Sequence, residues 1–318
     1  MKRIKYPPRG SAAFAKLVSD YKNLFASNLP KMETDWKGWK NRYHVTTISE
    51  TVEDLLTADV DVIADVYERF LALSMSATMP NPKGTGKKVR SKEYKELDAI
   101  FKYTKMFDSA IADFFIEKAE ELHITTCFYC ELSYINTYSV VGSSKSTGKR
   151  QFDIDHFLPK TKCPIIGLSL FNFVPSCQIC NSRIKQARAL GDKVVEKIKY
   201  NPAGKDYCFD ENVQIRLRMN RKPTTSFRAK GDNYLYFRCE NGFRKFVDFF
   251  HLEERYEFHK KEALRLLELR AKYPQSTIKR MAALLGRSAT DIHEDIFHKK
   301  YLSDNDRCFA KLTRDILK

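Results

Sequence analysis

Acidic residues are scarce: 40 stand against 56 lysines and arginines in 318 residues, leaving a formal charge of +16. That imbalance favours polyanionic partners over basic ones. Glycine and proline are sparse as well, 12 and 11 in all, which excludes collagen-like and low-complexity architectures. Eight cysteines are too dilute to staple a secreted mini-domain. Four of them fall into two C-x-x-C pairs, which points to metal in a reducing compartment and so to the cytoplasm. No apolar run approaches the roughly 18 residues of a membrane span. The opening MKRIKYPPRGSAAFAKLVSDYK has no apolar stretch of secretory length, because Lys16, Asp20 and Lys22 interrupt it. A soluble chain with no membrane partner is expected, long enough to bury a core of its own.

The positive charge is clustered, in GTGKKVRSK (84–92), SSKSTGKR (143–150) and the stretch 214–231. The last holds Arg216, Arg218, Arg221, Lys222, Arg228 and Lys230 and no acid. Neutralising phosphates releases counterions and drives binding without any reading of sequence, so nucleic acid is the expected partner class. Within that stretch, 213–219 alternates Val213, Ile215, Leu217 and Met219 with Gln214, Arg216 and Arg218, the period of a half-buried strand with arginines outward. Arg216 and Arg218 are therefore candidate phosphate contacts.

Hydrophobic spacing predicts helices over 52–75 and 94–121, separated by PNPKGTGKKVRSK (80–92), a loop and the best internal boundary. YLYFRCENGFRKFVDFF (234–250) predicts two strand pieces about an Asn241-Gly242 turn. Helices are expected again over 251–272, 276–285, 289–297 and 304–316, with Gly286 closing one and Ser288 and Ser303 capping two. The short pair around Gly286 has the outline of a helix-turn-helix. Asp291, Glu294 and Asp295 would set negative charge against a groove, so ordinary packing is the better reading. Four segments result: an N-terminal helical region (1–92), a core containing both cysteine pairs (93–200), a small β insertion (201–250) and a C-terminal helical region (251–318). The class is α+β and mainly helical.

Cys127-Phe-Tyr-Cys130 and Cys177-Gln-Ile-Cys180 are separated by 46 residues. A two-residue gap lets both sulfurs of a pair reach one ion, and four thiolates close a tetrahedral zinc site. Such a site has no open position, so it is structural and catalysis must come from elsewhere. Cys163, Cys208, Cys239 and Cys308 fall outside the pairs and read as small core residues or incidental thiols. His123, His251, His259, His293 and His298 show no ligand spacing. Between the pairs lies QFDIDHFLPK (151–160), in which strand alternation sends Asp153 and Asp155 one way and His156 the other. An adjacent Asp-His suits metal-assisted hydrolysis: the carboxylate holds a hard cation and the imidazole takes a proton from water.

The order C-x-x-C, D-H-F-L-P-K, N-F-V-P-S-C-x-x-C-N-x-x-x-K resembles the zinc-knuckle subgroup of HNH endonucleases over about 60 residues. The resemblance implies a zinc-stapled ββα-metal core that cuts DNA, RNA not being excluded. It implies that His156 is the general base and Asp155 a ligand of a catalytic divalent ion, Mg²⁺ foremost. Asn172 would hold the catalytic loop and orient His156. Asn181 would be a second ligand, in place of the more usual histidine. Asp153 is a further ligand or a carboxylate behind the ligands, the latter being favoured. Lys160, Arg183 and Lys185 are the nearest candidates for gripping flanking phosphates. The helical tail resembles that of HNH proteins from bacterial anti-phage systems such as Septu, which implies an ATPase or sensor protein as partner. Two other readings stay open: a non-cleaving zinc-dependent nucleic-acid-binding module, and an adaptor subunit.

Overall fold

The computed structural model describes residues 1–80, 88–101, 103–138, 148–218, 233–297 and 307–317. The basic positions at 84–87, 143–147 and 219–232, together with His298 and Ser303, lie outside them. The chain divides into two compact units: an N-terminal unit of residues 3–122 and 136–207, and a C-terminal unit of residues 1–2, 123–135 and 208–318. The four consecutive segments expected from sequence do not follow this division. The boundary at 92 falls inside the N-terminal unit because helices on both sides of it share a core. The Trp39 indole N–H donates to the Glu93 carbonyl at 3.2 Å, and Phe70 packs edge-on against Tyr94.

The N-terminal unit is mostly helical, with α1 (Ala12–Asn23), α2 (Leu29–Arg42), α3 (Val52–Leu56), α4 (Val60–Ala72), α5 (Lys92–Phe101), α6 (Asp108–Glu117) and α7 (Val194–Tyr200). One helix was expected over 52–75; the chain breaks it at 57–59, where Asp59 turns extended (φ −65°, ψ 160°) to start α4. α3 carries its own reciprocal cap between Thr51 and Asp54, worth about 1 kcal/mol. A π-helical turn, Tyr103–Phe107, joins α5 to α6 where a single helix was expected. Three two-stranded antiparallel sheets accompany the helices: β1 (Thr78–Pro80) with β2 (Lys88–Arg90), β3 (Thr137–Tyr138) with β4 (Lys149–Arg150), and β5 (Asp153–His156) with β6 (Phe173–Ser176). Tyr21, Phe25, Phe107 and Phe114 form the aromatic centre, with ring centroids 4.7–5.4 Å apart. The Tyr21 hydroxyl donates to the Leu168 carbonyl at 2.6 Å, which ties the β5–β6 connection to α1.

The C-terminal unit contains α8 (Phe209–Asn212), the antiparallel pair β7 (Val213–Arg218) and β8 (Tyr234–Cys239), and α9 (Arg244–Phe249), α10 (Leu252–Glu257), α11 (Lys260–Lys272), α12 (Gln275–Leu285), α13 (Ala289–Ile296) and α14 (Ala310–Leu317). β7 alternates as its sequence predicts, with Val213 and Ile215 buried and Arg216 and Arg218 exposed. The second strand piece expected after Asn241-Gly242 is instead α9. Phe243, Phe246, Val247 and Phe250 are all buried, and that three-and-four spacing is helical. Asn241 and Gly242 do make the turn, both at positive φ. The helix expected over 251–272 divides into α10 and α11. Gly286 closes α12 in the left-handed region, and the Ser288 hydroxyl caps α13. Three outward N–H groups of the hairpin are taken by carboxylates: Ile215 by Asp315 at 2.8 Å, Leu235 by Glu257 at 2.7 Å and Phe237 by Glu253 at 3.0 Å. Among the described residues no helix is long and apolar enough to cross a membrane.

Candidate active site and metal centre

Cys127, Cys130, Cys177 and Cys180 are buried, and their sulfurs all lie within 4.8 Å of one another. Zinc–sulfur bonds of about 2.3 Å in a tetrahedron require sulfurs about 3.8 Å apart, so donor set and spacing fit a structural zinc ion. The first pair sits on a tight turn: Glu131 N–H donates to the Cys127 carbonyl at 2.9 Å and Leu132 N–H to Cys130 Sγ at 3.4 Å. Burial holds this turn in place, with Tyr129 stacked on Phe250 at 4.5 Å and the Tyr256 hydroxyl donating to the Cys130 carbonyl. The second pair follows β6 directly and opens the π-helical segment Ile179–Lys185. No other group of three or more His, Cys, Asp and Glu side chains converges in this way among the described residues.

β5, β6 and the Ile179–Lys185 helix form a strand–strand–helix unit. Asp155 stands opposite Val174, and His156 opposite Phe173. Asn172, the last residue before β6, is fully buried and clamps the connection. Its Oδ1 accepts from Leu158 N–H at 2.8 Å, and its Nδ2 donates to the carbonyls of Leu158 and Ile166 at 3.0 and 3.2 Å. Its hydrogen bonds thus go to backbone, and the His156 ring is held by another group. His156 Nε2 lies 2.9 Å from the Gly167 carbonyl. A carbonyl only accepts, so Nε2 carries the proton and Nδ1 is the basic nitrogen. The ring packs edge-on against Tyr103 and Phe173 at 4.6 and 4.8 Å. Burial, helped by the Lys160 charge, holds its pKa well below the ordinary histidine value, so the imidazole is neutral at neutral pH. Gly167 has no room for a side chain: a Cβ would sit 2.9 Å from the Pro164 carbonyl and 3.3 Å from Lys160 Cβ.

The helix pairs with β5 in order across this unit, Asn181 with Asp153 and Lys185 with Asp155. Asn181 Nδ2 donates to Asp153 Oδ2 at 3.0 Å, and Lys185 Nζ reaches both Asp155 oxygens at 3.2 and 3.1 Å. Asn181 accordingly keeps Oδ1 as its metal-capable atom, and Asp153 serves to hold it. Lys185 requires a correction. Its side chain is fully buried and also donates to the His156 carbonyl at 2.6 Å, so it braces Asp155 and does not grip phosphate from the surface.

Asp155, His156, Lys160 and Asn181 line one open cleft of ≈ 220 Å³. Lys160 is half-buried with its ammonium 3.5 Å from the Tyr103 ring centre, and burial pushes its pKa down to about 8. Arg183 is exposed on the helix surface and does not line the cleft. Arg216 and Arg218 stand on β7 of the C-terminal unit. Sequence reasoning missed Gly167 altogether and left Tyr103 unmarked within the helix expected over 94–121. No motif marks either, because each acts through the loop geometry around His156. The clamp itself can be tested: Asn172→Ala strands the buried Leu158 N–H and carbonyl, leaves the Ile166 carbonyl with only the Ser169 N–H, and should cost about 2–4 kcal/mol in equilibrium urea unfolding. A loss under about 1 kcal/mol would mean the connection is held without it. Set against family models, curated proteins and solved structures, the chain has no match.

Proposed function

We propose that this cleft hydrolyses phosphodiester bonds of DNA with the help of a divalent ion, as an HNH endonuclease does, and that it serves anti-phage defence beside an ATPase or sensor partner. The supporting observation is the convergence of Asp155, His156, Lys160 and Asn181 on one cleft, with His156 fixed in a single tautomer. Nδ1 takes a proton from water as the water oxygen attacks phosphorus in line with the 3′ oxygen. The P–O3′ bond breaks, the departing oxygen takes a proton from solvent, and the products carry a 5′-phosphate and a 3′-hydroxyl. Lys160 sits beside that path and binds the flanking phosphate. A divalent ion such as Mg²⁺, when bound, supplies positive charge to the phosphate and the departing oxygen. Asp155 and the Asn181 amide oxygen are the hard oxygen donors it requires. A carboxylate offers about four lone-pair positions, so Asp155 serves Lys185 and a cation together.

The reading is tested on supercoiled plasmid, linear duplex and single strands, with and without Mg²⁺ or Mn²⁺. Wild type should cut only with the ion, and Asp155→Asn should be at least about a hundredfold slower. Binding without cutting by wild type under every condition, the ATPase or sensor partner included, would replace the enzyme by a nucleic-acid-binding module.

A further inference from the structure

The β7–β8 hairpin carries a surface that the cleft does not explain. Its register sets Arg218 opposite Tyr234, Arg216 opposite Tyr236 and Gln214 opposite Arg238, all on the face away from Ile215, Leu235 and Phe237. Arg216, Arg218, Tyr234 and Arg238 are exposed and Tyr236 is half-exposed, so two phenol rings lie among three guanidinium groups. The rings sit 6.2 Å apart, centre to centre.

How these arginines are held sets the face apart. Elsewhere in the same unit Arg244 pairs with Asp248 and Glu253, Arg265 with Glu262, and Arg287 with Asp295. On the hairpin Arg216 is held by the neutral Gln214 amide oxygen at 2.6 and 3.2 Å, and Arg218 by the Tyr234 hydroxyl at 3.2 Å. Neutral acceptors fix the guanidinium planes, and no carboxylate among the described residues pairs with either charge. Arg238 is the exception, since Glu240 approaches it at 3.2 Å.

Positive charge alone would serve any polyanion. The tyrosines narrow the choice: a duplex keeps its base faces stacked on one another, whereas an unpaired strand offers them to a ring. We infer that the β7–β8 face binds unpaired nucleic acid, with Tyr234 and Tyr236 stacking on bases while Arg216 and Arg218 contact the phosphates between them. Binding here requires no chemistry in the cleft and rests on the nuclease reading only for its partner class.

The test is fluorescence anisotropy with wild-type protein in the absence of added divalent ion. The probes are labelled oligothymidylate of about a dozen nucleotides and a blunt duplex of equal length. Tyr234→Ala and Tyr236→Ala leave the net charge unchanged, and both positions are accessible, so thermal unfolding should match wild type. Each should weaken oligothymidylate binding by about five-fold or more while moving duplex binding by less than about two-fold. Tyr236→Phe keeps the ring and should bind like wild type. Arg216→Ala should weaken both probes and flatten the salt dependence. If the tyrosine variants bind oligothymidylate like wild type while Arg216→Ala does not, the face is a charge patch and the inference fails. Tyrosine-dependent binding in a protein that cuts nothing would leave the inference standing and remove the proposed activity. Cleavage by a protein indifferent to these tyrosines would do the reverse.

Discussion

If the cleft is the nuclease site proposed, replacing His156 by alanine should slow plasmid cleavage by about 10²–10⁴-fold, the usual worth of a positioned general base. The variant needs care, because the ring is buried between Tyr103 and Phe173 and satisfies the Gly167 carbonyl. Removing it opens a cavity and strands an acceptor, so alanine will also lower stability. His156→Gln separates the two effects. Its amide N–H can still donate to Gly167 and fills most of the space, yet it has no basic nitrogen. Glutamine should therefore be nearly as inactive as alanine while unfolding at a temperature closer to wild type. Recovery of cleavage in the glutamine variant would show that His156 only props the loop. The pH profile supplies a second check. With its pKa held well below the usual histidine value, the base is already neutral at pH 6.5, and a cation at Asp155 acts in the same direction. The wild-type rate should not fall as the pH drops through about 6.5, whereas an ordinary histidine would lose half its active form there.

Cys177→Ser should abolish zinc binding. A serine hydroxyl is a poor substitute for a thiolate, and a tetrahedral site left with three sulfurs and an opening loses the closure that makes it structural. Binding of zinc to four thiolates is worth on the order of 10 kcal/mol, comparable to the whole stability of a domain. The expected result is one equivalent of zinc in purified wild type by elemental analysis and none in the variant. Circular dichroism should show partial or complete unfolding of the variant at room temperature. Equal zinc in both proteins, or none in wild type, would mean that the converging cysteines serve packing alone. His156→Gln must retain its zinc, so the two substitutions separate the zinc site from the chemistry proposed for the cleft.

The cysteine pairs were legible because two-residue gaps fix sulfur geometry locally, whatever lies between them. Asp155, His156 and Asn181 were legible as candidates for the same reason: each sits within a few residues of a recognisable anchor. What the spacing could not reveal is where the partners' atoms go. Lys185 reads as one more surface lysine until the helix and β5 are seen in register, when its ammonium meets Asp155. Gly167 and Tyr103 reach His156 from eleven and 53 residues away, through a carbonyl and a ring edge that no pattern encodes. The fold shows the same division. The alternation of β7 survived, while the stretch after the Asn241-Gly242 turn was read as strand because phenylalanine favours strands, and only the positions of Phe243, Phe246 and Phe250 mark it as helix.

The carboxylates along the β7–β8 hairpin bear on how the protein behaves in a concentrated solution. A bare two-stranded ribbon rich in β-formers is a template for stacking copies of itself. With Asp315, Glu253 and Glu257 occupying the N–H groups of Ile215, Phe237 and Leu235, those positions of the template are closed to a second copy. Removing one of these side chains would uncover a strand edge, so Glu257→Ala should raise light scattering in a concentrated solution while wild type stays clear.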